Sequence, residues 1–258
     1  MRGWVQERGM PVTEWFKDWF DGDYAAIYGH RDEDEAEAAV AMALAQAPGL
    51  GSGPVLDLGC GAGRHLAVLR RSNPLAFGLD LSRELLALAP EHLRPWLLRG
   101  DMRALPVRPG SLAGVCLWFT PFGYFSDEQN RELLQDLHDR LRPGGVLVMD
   151  YLNAQQVRAT LVSEDTSLHP GLRVVSRRTL EGHRLVKHMT LTRLDTGATR
   201  EVKESVRIYE PGELRALAAA CGLRTFREAG DYRGGAFDPQ RSPRWIGFLV
   251  RPGQEETG

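Results

Sequence analysis

The 258-residue chain carries 32 basic and 34 acidic side chains, 43% hydrophobic residues and three cysteines, Cys60, Cys116 and Cys221. This composition excludes a disordered, collagenous or disulfide-stapled protein, and no apolar run approaches the roughly 18 residues of a membrane span. With a net charge of −2 and no apolar core in the N-terminal MRGWVQERGMPVTEW, the expectation is a soluble, cytoplasmic protein with no membrane partner and no indiscriminate hold on nucleic acid.

Residues 11–48 read as helical: Glu35 to Leu44 is Ala-rich with acids in its first turn, and Pro48-Gly49 ends it. From Pro54 the pattern alternates. Strand-like runs at Val55–Leu58, Ala76–Leu79, Trp96–Leu98, Val115–Phe119 and Val146–Met149 are interleaved with helical ones at Arg64–Arg71, Leu85–Ala89 and Glu128–Leu141. Such alternation predicts βαβ units, right-handed crossovers and a largely parallel sheet. After residue 160 three runs, Arg173–Leu180, Arg184–Leu194 and Arg200–Tyr209, are joined by the turns Glu181-Gly182-His183 and Asp195-Thr196-Gly197-Ala198, which predicts an antiparallel meander. A helix at Pro211–Ala220 and strands at Leu223–Glu228 and Trp245–Val250 complete the chain. The expected fold class is therefore α/β, with an N-terminal helical unit (1–50), a doubly wound core (51–160 and 210–251) and an antiparallel insertion (161–209).

Charge is uneven along this order. Residues 1–40 hold 4 basic and 10 acidic side chains, and residues 170–209 hold 9 basic and 4 acidic. Two solvated faces that offset each other would explain this; so would a basic surface for an anionic substrate group.

The densest chemical signal is Val55-Leu56-Asp57-Leu58-Gly59-Cys60-Gly61-Ala62-Gly63-Arg64, an apolar run entering three alternating glycines and then a helix. Glycines there permit a sharp turn and let a ligand approach the backbone. Asp80 closes the second run about 20 residues further on, where a carboxylate can accept from ribose hydroxyls. Asp101 follows the third run, so Asp57, Asp80 and Asp101 are expected to converge on one nucleoside at the carboxyl edge of the sheet. The glycines alternate where a dinucleotide fingerprint would read G-x-G-x-x-G, and Asp57 would repel a pyrophosphate while favouring a cationic sulfonium ligand with an ammonium group.

VLDLGCGAGRH, GLDLS (78–82), GDMRALP (100–106) and LRPGGVLVMDYLN (141–153) together resemble the class I S-adenosylmethionine-dependent methyltransferases. The resemblance spans about residues 54–153 and 211–250. It implies a Rossmann-like, mostly parallel seven-stranded sheet with S-adenosylmethionine as cofactor. It also implies a glycine loop (Asp57, Gly59, Gly61, Gly63) cradling the methionyl part, Asp80 on the ribose with Leu81 stacking on the adenine, and Asp101 with Met102 at the adenine amino group. Phe119, taken to face the ligand where Trp118 faces the core, would lie next to the transferred methyl. The outer parts resemble a small-molecule subgroup in which the inserted sheet and an N-terminal lid cover the site, so Tyr24 and Tyr28 are expected at the cofactor.

The methyl acceptor is expected to be a small molecule, methylated on nitrogen or oxygen by in-line displacement. Arg177, Arg178 and Arg207 are read as contacts for a carboxylate or phosphate on it, and Asn153 as a further substrate contact. Tyr28, His30, Tyr151 and His188 are the candidates for a proton-transfer role, and no metal is expected, since no His or Cys stands at ligand spacing. Two other classes use the same features: an RNA methyltransferase drawing on the basic hairpins, and a non-catalytic cofactor-binding partner protein. Trp118-Phe119-Thr120-Pro121-Phe122 lacks the Asn-Pro-Pro-aromatic grip of base-amine methylation, and no separate RNA-binding module is seen, so nucleic acid is not the expected substrate.

Overall fold

A computed structural model of the chain describes residues 14–29 and 33–253. The N-terminal helical stretch is broken into α1 (Phe16–Trp19), α2 (Gly22–Tyr28) and α3 (Glu33–Gln46). The first break has a local cause. Asp21 takes extended backbone, and its carboxylate accepts from the amides of Asp23 and Tyr24, capping α2.

Five strands, β1 (Val55–Leu58), β2 (Ala76–Asp80), β3 (Leu97–Arg99), β4 (Leu112–Leu117) and β5 (Leu141–Leu152), run parallel. The helices α4 (Arg64–Ser72), α5 (Arg83–Ala87) and α6 (Asp127–Arg140) lie between them in the chain. All residues of β1 and β4 are buried, as continuous apolar strands covered on both faces should be. After β5 come α7 (Ala154–Thr160) and a second sheet of β6 (Glu164–His169), β7 (Leu172–Glu181), β8 (Arg184–Arg193) and β9 (Thr199–Arg207). α8 (Pro211–Ala220), β10 (Arg224–Ala229) and β11 (Arg244–Val250) then return to the first sheet, whose order is β10-β11-β5-β4-β1-β2-β3 with β10 and β11 antiparallel.

The seven-stranded, mostly parallel sheet matches the expected fold class, and the differences are local. β4 begins earlier than the run Val115–Phe119 and stops at Leu117, because the backbone turns left-handed at Phe119 and Thr120. The meander has four strands, not three. The extra one, β6, reads Glu-Asp-Thr-Ser-Leu-His, too polar to signal a strand but suited to an exposed sheet edge.

Two apolar clusters sandwich the main sheet, one around Leu56, Leu117 and Leu147 and the other around Val55, Cys116 and Val148. A third joins the N-terminal helices to the second sheet, with Trp19 and Ile27 packed on Leu172, Val174, Met189 and Leu191. At roughly 1.5–3 kcal/mol per fully buried large apolar side chain, this cluster is enough to hold α1 and α2 down. Among the described residues no helix is long and apolar enough to cross a membrane.

Candidate active site

β1 delivers the chain into its glycine loop, where Gly59, Gly61 and Gly63 have φ of +75°, +55° and +81°. Side-chain-bearing residues rarely adopt that backbone, so the tight winding that turns β1 into α4 depends on all three. A further glycine requirement sits in β2, at the first residue of GLDLS. A Cβ on Gly78 would lie 2.6 Å from Cys60 Sγ, so the loop seats its cysteine in the space that this glycine leaves. Burial and the charges of Asp57 and Asp80 push the Cys60 thiol far up, so it stays protonated.

The three expected carboxylates have different surroundings. Asp57 is 1% exposed, and its Oδ2 has no hydrogen-bond partner among the described residues. Burial, with the nearby charge of Asp80, pushes its carboxyl up to about 7. Asp80 Oδ2 accepts from the Gly61 amide at 2.8 Å and Oδ1 from the Ser82 amide at 2.8 Å, while burial raises its carboxyl above the ordinary range. Asp101 is gripped by Arg103, Nε to Oδ1 at 3.0 Å and Nη2 to Oδ2 at 2.5 Å, and that guanidinium holds its carboxyl below the usual range.

A cavity of about 270 Å³ opens at the carboxyl ends of β1 and β2, beside the β1/β4 switch point where open α/β sheets take ligands. Gly59, Gly61, Asp80, Leu81, Asp101 and Met102 line it, and so do Tyr24, Tyr28 and Phe119. Gly63, the N-cap residue of α4, and the buried Asp57 are not among the lining residues. The rest of the wall is aromatic to a degree that motif reading does not signal. Phe16 and Phe20 of the N-terminal segment, Tyr124 and Phe125 after β4, and Trp118 all line it. The only hint in the sequence is the aromatic spacing of Trp15-Phe16 and Trp19-Phe20. Trp118 corrects the expectation that it faces the core alone: the chain leaves the extended conformation at Phe119, so alternation ends there and both rings reach the cavity.

α2 is fastened over this cavity by the second sheet. The Tyr28 hydroxyl accepts from Lys187 Nζ at 2.9 Å and donates to Glu204 Oε1 at 3.1 Å, and Trp19 Nε1 donates to Glu204 Oε1 at 2.6 Å. Arg193 pairs with Asp23 at 2.7 Å, and Arg200 pairs with both Asp21 and Asp23. Part of the acidic N-terminal surplus thus meets part of the basic surplus of residues 170–209.

The expected substrate contacts have partners elsewhere in the fold. Arg177 and Arg178 pair with Glu164 and Asp165 on the adjacent β6. Arg207 is held by Asp127 and Glu213. Asn153 is fully buried at the cap of α7, donating to the carbonyls of Pro239 and Ser242. None of the four lines the cavity. Tyr151 is likewise fully buried, its hydroxyl donating to the Arg207 carbonyl, and His188 is exposed on β8; neither lines the cavity. His30 lies outside the described residues.

Residues 55–145 match a family described as "Methyltransferase domain". Among curated proteins, a carboxy-S-adenosyl-L-methionine synthase of Chromohalobacter salexigens is 37% identical over 106 residues, 37% of this chain and 38% of that protein. The chain thus spans well under half of that relative's length. Among solved structures, the S-adenosylmethionine-bound amino pentose methyltransferase CalS10 of Micromonospora echinaspora is 26% identical, with a TM-score of 0.63 over 89% of this chain and 96% of its own. An S-adenosylmethionine-dependent methyltransferase of Clostridium acetobutylicum, at 16% identity, shares the fold with a TM-score of 0.73 over 89% of this chain and 96% of its own. With its sheet order, its glycine loop and a methyltransferase-domain match over residues 55–145, the chain has the fold of the class I S-adenosylmethionine-dependent methyltransferases.

Proposed function

We propose that this protein transfers a methyl group from S-adenosylmethionine to a nitrogen or oxygen of a small molecule, with amino sugars the first class to try. The observation that carries the reading is the buried Asp57 oxygen left without a partner in β1, two residues before the glycine loop of a cavity that Asp80 and Asp101 border. A buried, unpaired carboxylate is costly unless a cation completes it. The left-handed glycine loop, Asp57 before it, Asp80, and Asp101 with Met102 fit the methionyl, ribose and adenine parts of that cofactor. Bound there, it would supply an electrophilic methyl on positively charged sulfur, open to in-line attack by a lone pair.

The protein's part is placement and dryness. The aromatic wall built by Phe16, Phe20, Tyr24, Tyr28, Phe119 and Tyr124 makes a dry lining in which a ring could meet a cation. A neutral amine acceptor then needs orientation rather than a strong base. The guanidinium groups of Arg177, Arg178 and Arg207 are each paired with a carboxylate, which favours an amine or hydroxyl acceptor over a carboxylate or phosphate one. Amino sugars come first because CalS10 acts on an amino pentose. Calorimetric titration with S-adenosylmethionine and with NAD tests the cofactor; we expect binding of the former alone. Incubation with a panel of amino sugars, read by mass spectrometry for the gain of one methyl, tests the acceptor. Preference for NAD would sink the reading.

A further inference from the structure

Two adjacent side-chain-bearing residues, Phe119 and Thr120, adopt left-handed backbone at φ +64° and +66°. Such a conformation is unfavourable for each and persists only where the surroundings over-determine it. Here they do. Asp150, at 0% exposure near the end of β5, grips both residues at once: its Oδ2 accepts from the Phe119 amide at 2.7 Å and its backbone carbonyl from the Thr120 amide at 2.9 Å. The same Oδ2 accepts from the Tyr232 hydroxyl at 2.7 Å, and Oδ1 pairs with Arg244 Nε. Arg244 Nη2 donates to Thr120 Oγ1 at 2.8 Å, and its guanidinium lies 4.6 Å from the centre of the Phe119 ring. Phe119 lines the cavity, whereas Asp150, Tyr232 and Arg244 do not.

We propose that Asp150, Tyr232 and Arg244 are positioning residues that force the Phe119–Thr120 corner into its strained form and so set the Phe119 ring against the sulfonium end of the cofactor. The inference rests on the methyltransferase reading above. It also explains what the antiparallel return of the sheet does. Arg244 opens β11 and Tyr232 lies in the loop before it, so the C-terminal strands reach back to brace the corner after β4. A fully buried acid with four hydrogen-bonded partners, two of them the amides of a strained turn, is a fixture for geometry; none of its bonds points to a ligand.

The test compares two ligands that differ by the methyl and the charge on sulfur. S-adenosylmethionine and S-adenosylhomocysteine are titrated calorimetrically into the wild-type chain, Tyr232→Phe and Asp150→Asn, and each protein is also melted. Loosening the corner should weaken S-adenosylmethionine more than S-adenosylhomocysteine, lowering the affinity ratio by about three- to tenfold, the size of one lost cation–aromatic contact. Asp150→Asn should act more strongly than Tyr232→Phe. Tyr232→Phe leaves the Asp150–Arg244 pair in place, so it decides the matter alone if Asp150→Asn does not fold. Equal weakening of both ligands, or an unchanged ratio in a folded variant, overturns the inference while the cofactor assignment stands. No binding of either ligand by the wild-type chain overturns the methyltransferase reading, and this inference falls with it.

Discussion

Just before the glycine loop Asp57 keeps a buried carboxylate oxygen with no hydrogen-bond partner among the described residues, whereas across the junction of α2 with the second sheet the charges answer one another: Asp21 and Asp23 with Arg193 and Arg200, Tyr28 with Lys187 and Glu204. Both regions are rich in ionisable groups, yet one leaves a buried oxygen unmatched and the other is internally complete. The difference separates a binding site from a clasp more sharply than residue type does, because an unmatched buried charge is destabilising until something arrives to match it.

Breaking the unmatched side should have the largest effect. Asp57→Asn is expected to weaken S-adenosylmethionine binding by about a hundredfold, the usual cost of deleting one partner of a buried charge pair. It should also stabilise the ligand-free protein. A carboxyl raised in the fold to about 7 loses stability as pH climbs from about 4, where the unfolded chain ionises, towards 7, so the substitution should return up to about 4 kcal/mol at neutral pH. Opposite signs for binding and melting temperature are the outcome to look for; a loss of both would mean that Asp57 is merely structural. Asp80→Asn should cost less, about tenfold in affinity, since hydrogen bonds to a charged group are worth roughly 1.5–3 kcal/mol and an amide retains some of them.

The same contrast has a pH signature. A cationic ligand favours ionised Asp57, so binding at pH 6 must release a proton. Affinity should therefore rise between pH 6 and 7, by at most about tenfold, and level off above 7. A flat profile by calorimetry, with no proton release across buffers of different ionisation heat, would detach Asp57 from the ligand.

The completed side should yield little. Arg200→Gln opens two pairs between the second sheet and the start of α2, and with Arg200 39% exposed the loss should stay at about 1 kcal/mol or below for each and shrink with added salt. Arg177→Gln, further out, should change stability by less than about 0.5 kcal/mol and leave cofactor binding alone. A large drop in acceptor binding on Arg177→Gln would restore the anionic acceptor that the pairing argues against.

Asp57, Asp80 and the glycines are readable from the order of residues because their roles are set by backbone position: the end of a strand, the start of a helix, a turn that tolerates no Cβ. Arg207, Asn153 and Tyr151 are not, because polarity and place in the chain say nothing about who the partner is. Each is spent on a group far away in sequence, Arg207 on Asp127 and Asn153 on the Pro239 carbonyl. The aromatic wall is hidden for a related reason. Phe16 and Tyr124 lie more than a hundred residues apart, yet they stack 6.3 Å from each other at 18°, and only the closed fold brings them together. β6 and α7 escape notice because short, polar elements at a sheet edge draw their stability from neighbours rather than from their own periodicity.

The cysteine in the glycine loop carries one more consequence. A thiolate at the wall of a chamber that holds an alkylating agent would be a hazard to the enzyme itself, since sulfur anions attack sulfonium methyls readily. Cys60 is seated against Gly78, desolvated and flanked by two acids, and the last two conditions keep its proton on. The carboxylates that would greet the cofactor would in that way also disarm the Cys60 thiol in the cavity wall.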